Sequence, residues 1–249
     1  MQLLFGRELD IEIKELEAFF KQGLSEWWDD LYPYLNALQG DNTWNFMPAL
    51  ILSAYKYNGL NRQMSVSMAS IFKTVYLANY IHGLVVDEEQ GQVQNQELQF
   101  NILIADFLFG HVLKQLVDCG NADLLDLLSV MIAEINEGLV LKHKFNADDL
   151  QSLVKTRGPL YSTAFVMAAK LAGHNEYDRK VFQELGFNLG MALELLQEEM
   201  MVVEAQNYIV KSESLFHEIN RHNKVGSLLE TAVHELHQHF YCAEKAAVI

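Results

Sequence analysis

A chain of 249 residues, half of them hydrophobic, can bury a sizeable core in one large domain or two small ones. Its formal net charge of −15 and pI near 4.9 set its surface against nucleic-acid phosphates and anionic lipid, so neither is an expected partner. Two cysteines, Cys119 and Cys242, make neither a disulfide framework nor a CxxC metal site, which fits a reducing cytoplasm, and MQLLFGRELDIEIKE lacks the basic start and unbroken apolar core of a signal peptide.

The elements follow from apolar spacing. Leu9, Ile13, Leu16, Phe19, Phe20 and Leu24 share one face of a helix over residues 9–24. Residues 26–38, with Trp27, Trp28, Tyr32 and Tyr34, form a short aromatic helix broken near Pro33, a group suited to core or interface. Asp41 and Asn42 start a helix that runs to Tyr57, and Asn58-Gly59 turns the chain. Residues 65–86 read as a long buried helix and 90–94 as a polar loop. An apolar helix spans 98–117, and Cys119-Gly120-Asn121 ends it. Its most apolar part, 101–113, is too short to cross a bilayer, and its Asp106 needs a partner.

Helices over 124–144 and 148–171 follow, with a turn at 145–147. Gly173-His174-Asn175 breaks the pattern before a helix over 177–204. Residues 206–247 complete the chain as two helices split near Asn223. Nothing alternates with period two, so the fold class is all-α with about 9–11 helices. His234, His237 and His239 stand close together, but HELHQH is not HExxH, so no zinc site follows. Met200 and Met201 read as core.

Six stretches share a second kind of pattern: packing residues kept, most chemical residues missing. YIHGLVVDEE resembles L-I-H-D-D-V-V-D-E with Gly83 and Leu84 in place of the first two aspartates. LGFNLGMALELLQEEMM resembles F-G-x-N-L-G-x-A-F-Q-x-x-D-D-x-x-D; Gly186, Asn188, Leu189, Gly190 and Ala192 match, Glu194 stands for the Gln, and the acidic cluster becomes Gln197, Glu198 and Met201, with Glu199 beside them. GDNTWNFMPALILSA resembles G-G-K-R-(L)-R-P-A-L, with Met47 in place of the arginine before Pro48. Gln90, Gly91 and Gln92 stand where a pair of arginines is expected. LVKTRGPLYSTAF resembles K-T-A-x-L and keeps Lys155 and Thr156, and LIADFLFGHVL resembles L-A-G-D-(Y/F)-L.

Taken in chain order, from about Gly40 to Met201, these motifs resemble the trans-polyprenyl diphosphate synthase family. The resemblance implies one isoprenoid-synthase-type helical barrel over 1–249, with N-terminal helices in 1–39, a family-like core in 40–205 and C-terminal helices in 206–249. In the intact family, carboxylates at i and i+4 lie one turn apart on a helix face and hold magnesium against a diphosphate. Here Gly83 and Leu84 remove that pair, and neutral Gln90 and Gln92 offer no charged fork to phosphate.

Asp87, Glu88, Glu198 and Glu199 read either as solvated acids or as a residual metal site. Lys155, with Thr156, reads either as a retained phosphate contact or as a surface lysine. The resemblance implies the non-catalytic smaller subunit of a heteromeric synthase in isoprenoid or quinone side-chain biosynthesis. Such a subunit binds no cofactor tightly by itself; magnesium belongs to the catalytic partner. That partner, or a second copy in a homodimer, would dock on Leu98, Ile102, Phe107, Phe109 and Leu113. Two alternatives are an enzyme with a remodelled metal site at Asp87, Glu88, Glu198 and Glu199, and a non-catalytic prenyl-lipid-binding protein.

Overall fold

A computed structural model describes residues 6–85, 96–145, 148–196, 202–220 and 226–247. Among them every regular element is helical: α1 (Asp10–Gly23), α2 (Trp28–Ala37), α3 (Asn42–Tyr57), α4 (Arg62–Gly83), α5 (Gln96–Asp118), α6 (Leu125–Phe145), α7 (Asp149–Thr156), α8 (Gly158–Leu171), α9 (Glu176–Leu195), α10 (Val202–Ile219) and α11 (Leu228–Ala247), with short 3-10 turns between some of them. The all-α reading therefore holds.

Side-chain caps set the helix starts. Asp41 accepts from the backbone N–H of Trp44 at 2.7 Å, Asn61 from Met64, Asp148 from Gln151 and Asn175 from Asp178. Each cap satisfies a backbone donor that a helix start leaves unpaired. The turns at Gly59, Gly120 and Gly173 have φ near +75°, which glycine adopts without a Cβ penalty.

Helices α3, α4, α8 and α9 are the most buried. Tyr55, Phe72, Tyr76, Tyr161 and Phe165 are wholly enclosed, and side chains from α1 to α11 join one apolar cluster. The α8–α9 contact is the closest. A Cβ on Gly190 would sit 2.1 Å from Tyr161 Cγ, and one on Gly186 would sit 2.5 Å from the Tyr161 carbonyl oxygen. Both glycines of the G-x-N-L-G stretch therefore serve backbone approach. Gly138 plays the same part between α6 and α7, where a Cβ would meet Lys155 Cβ at 2.7 Å.

Four expected boundaries change. Pro33 lies inside α2, whose exposed outer face tolerates the one missing backbone hydrogen bond. Residues 148–171 are two helices, because Pro159 near the start of α8 has no N–H to continue α7; Arg157 stands at the break. The helix expected over 177–204 ends at Leu195, and the next begins at Val202. Two helices do fill the C-terminal stretch, but the first starts before Gln206, and Asn223 lies outside the described residues.

The fourth change concerns α5. Its 23 residues give one helix, among those described, long and apolar enough to cross a bilayer by length and composition, so the apolar core at 101–113 understated it. Asn101, Ile104, Ala105, Leu108, Val112 and Leu116 bury one face of α5 within the fold.

Candidate functional site

The C-terminal turn of α4, the middle of α6 and the α7–α8 break enclose a cavity of about 180 Å³. Its walls are Asn79, Tyr80, Gly83 and Leu84 from α4, Ile135, Leu139 and Lys142 from α6, and Thr156 and Arg157 from the break. Among the described residues no carboxylate lines it, so these walls offer a divalent metal none of the hard charged oxygens it prefers. Nowhere among the described residues do three His, Cys, Asp or Glu side chains meet in a metal-binding group. The described residues therefore do not fit a magnesium ion. Asp87, Glu88, Glu198, Glu199, Gln90, Gln92, Gln197 and Met201 lie outside the described residues.

Gly83 ends α4 with nothing within 4 Å of where a Cβ would project. Leu84 follows it, 41% exposed, so an apolar side chain stands where the frame calls for an acid. Met47 is fully buried in α3. Lys155 and Thr156 part company. Thr156 lines the cavity and donates its hydroxyl to the Ser152 carbonyl at 2.6 Å. Lys155 pairs with Glu137 of α6, Nζ to Oε2 3.3 Å, and does not line the cavity.

The cleft's buried charge sits on Glu194, which the sequence shows only as a motif substitution, and on Arg157, which sequence reasoning passed over. Glu194, only 8% exposed, accepts from the Thr43 hydroxyl on both oxygens, at 2.8 and 2.7 Å, and from the Tyr161 hydroxyl at 2.5 Å. Arg157 Nε lies 4.0 Å from Glu194 Oε2, and the guanidinium stacks 4.4 Å over the Tyr76 ring. The Tyr76 hydroxyl donates to Asp41 Oδ2 at 2.8 Å. Burial raises the Glu194 carboxyl above its ordinary value, against the lowering pull of Arg157 and its hydroxyl donors. Burial likewise raises the Tyr161 hydroxyl, with the neighbouring Glu194 charge adding to it. The Gly158-Pro159 pair was the available signal for the break that aims Arg157 inward.

On α5, Ile102, Phe107 and Leu113 are exposed at 38%, 38% and 37%. Leu98 is half-buried, and Phe109 turns inward, where it stacks on His82 of α4 at 5.7 Å. Leu103 and Val117, which the sequence reading did not single out, complete the exposed stripe at 67% and 47%. Asp106 is exposed and pairs with His82 at 3.2 Å, so its partner comes from α4 rather than from a buried site. Trp27 packs on Phe107, and Trp28 on Phe20. His237 contacts Glu213, and His234 contacts Gln238, so these histidines have separate partners.

A smaller cavity, about 100 Å³, has Leu9, Leu52, Lys56, Leu60 and Arg62 in its walls. Its cations are already paired, Lys56 with Glu12 at 3.5 Å and Arg62 with Glu15 at 2.5 Å, and no predicted site residue lines it.

No family model matches the chain. Octaprenyl diphosphate synthase of Escherichia coli K12 is 23% identical over 165 residues, which span 61% of this chain and 51% of that protein. The chain thus spans about half the length of the curated relatives it matches. Among solved structures, the geranyl diphosphate synthase small subunit of Antirrhinum majus superposes with a TM-score of 0.73 at 14% identity, covering 95% of this chain and 100% of that one. A deletion mutant of the heterotetrameric geranyl pyrophosphate synthase of mint gives 0.65 at 17% identity, covering 95% and 99%. The chain shares the fold of these solved synthases, and over 165 residues it is 23% identical to the octaprenyl diphosphate synthase.

Proposed function

We propose that this chain is the non-catalytic subunit of a heteromeric trans-polyprenyl diphosphate synthase in isoprenoid or quinone side-chain biosynthesis, acting in the cytoplasm. The observation that carries this reading is the cavity at the end of α4, whose described wall includes Gly83 and Leu84 and no carboxylate. A site without metal-binding acids forgoes the several kcal/mol that each metal contributes to diphosphate departure, and each 1.4 kcal/mol is a factor of ten in rate.

The stripe of Ile102, Leu103, Phe107, Leu113 and Val117 on α5 supports a partner. Contiguous exposed apolar surface on a helix marks an interaction site. A catalytic synthase subunit is the proposed occupant, and a second copy of the chain is the competing one. The small-subunit and heterotetramer likenesses favour the first.

The test is an assay of this chain alone, a catalytic synthase subunit from the same genome alone, and the two mixed, with isopentenyl and farnesyl diphosphates and magnesium. The expected result is no product from this chain alone and a clear gain on mixing. Magnesium-dependent turnover by this chain alone, lost on replacing Asp87 and Glu198 with alanine, would favour a remodelled enzyme.

A further inference from the structure

A carboxylate buried as deeply as Glu194 must find donors and a counter-charge. Thr43 of α3 and Tyr161 of α8 supply the donors, and Arg157 supplies the charge. The guanidinium is held from another side by the Tyr76 ring of α4, whose hydroxyl reaches the Asp41 cap of α3. One cation at the α7–α8 break thus ties together α3, α4, α8 and α9. In the motifs that this chain resembles, the position of Arg157 is the Ala of K-T-A-x-L and that of Glu194 is the Gln of A-F-Q. Both positions are charged here, with opposite signs, and the fold brings them together.

We propose that Arg157 and Glu194 are coupled replacements: the Glu194 carboxylate is the resident counter-ion of the cleft arginine and takes the place of a bound phosphate. This deepens, and rests on, the reading of the cleft as one that no longer works on diphosphate. The dependence is unequal. Glu194 has 7% of its side chain exposed, so without Arg157 its charge is stranded. Arg157 keeps 25% exposed and opens on the cavity, so without Glu194 water can solvate it. Freed of the carboxylate, its guanidinium can fork onto phosphate oxygens without any metal.

The experiment is thermal unfolding at pH 7 in the presence of a chelator. The variants are Arg157→Ala, Glu194→Gln and the double change, each with and without inorganic diphosphate. Arg157→Ala is expected to lower Tm by about 5 °C or more, because it breaks a buried pair from one side. Glu194→Gln stays within about 2 °C of the natural chain, and the double variant recovers most of the Arg157→Ala loss. Diphosphate raises the Tm of Glu194→Gln and leaves the natural chain unchanged. The coupling is overturned if the double variant loses as much as Arg157→Ala, or, where Arg157→Ala does not fold, if the double variant does not fold either. The counter-ion role is overturned if diphosphate stabilises the natural chain as much as Glu194→Gln. No catalytic partner enters this experiment, so its failure and a failure to stimulate a catalytic subunit are separate results.

Discussion

Gly83 and Gly190 both belong to stretches that match the synthase motifs, yet their surroundings differ. Nothing lies within 4 Å of a Cβ at Gly83, whereas one at Gly190 would overlap the Tyr161 ring. Gly83→Ala should therefore be tolerated, gaining at most about 1 kcal/mol from helix propensity. Gly190→Ala should cost about 2 kcal/mol or more as α8 and α9 are forced apart. Urea unfolding of the two variants decides this, and equal effects would contradict the packing described.

Glu194 gives a pH prediction with a definite sign. Its folded value is raised above the ordinary 4.5, so the folded chain keeps a proton that the unfolded chain has lost. The stability it contributes is full below pH 4.5 and is lost as pH rises through the raised folded value. Measured against Glu194→Gln, the natural chain should lose ground as pH goes from about 4 to 7; a constant difference would contradict a raised carboxyl. At this scale the sequence made the missing acids legible at Gly83 and Leu84, and the missing arginine at Met47. It hid Arg157, because apolar spacing gives one helix over 148–171 and shows no break there to turn the arginine inward.

At the scale of elements, α5 shows how far periodicity reaches. Its existence and length were legible from its apolar run. Its orientation was less so, because a helix apolar on most sides does not declare which side faces the core. Ile102, Phe107 and Leu113 do face outward, but Phe109 packs inward against His82, and the most exposed member, Leu103, was missed. Replacing Leu103 and Val117 together with Asp should change stability by no more than about 0.5 kcal/mol per site, since both lie exposed. The same change should abolish assembly with a catalytic subunit, read by size-exclusion chromatography of the mixture. Assembly that survives it would place the interface elsewhere. The break between α7 and α8 was legible in principle from Gly158-Pro159. Apolar periodicity runs through it because Leu150, Leu153 and Val154 of α7 lead directly into α8, which is buried on every side from Gly158 to Ala169.

Across the whole molecule the helical class followed from composition and spacing, and the motif order pointed to the fold that the solved structures share. The site divides differently. Its losses were visible as substitutions, but its replacement was not, because Thr43, Asp41, Tyr76, Arg157, Tyr161 and Glu194 lie up to 153 positions apart and meet only when four helices pack. In the proposed reading the cleft holds an internal ion pair in place of metal-and-phosphate chemistry, and the exposed apolar face of α5 takes a partner. The direct measurement is a titration of this chain into a fixed amount of a catalytic synthase subunit, with magnesium and both prenyl substrates, following the rate of chain elongation. The account predicts no rate from this chain alone and a rise that saturates near one chain per catalytic subunit. Diphosphate release by this chain alone, or a rate that does not change across the titration, would contradict it.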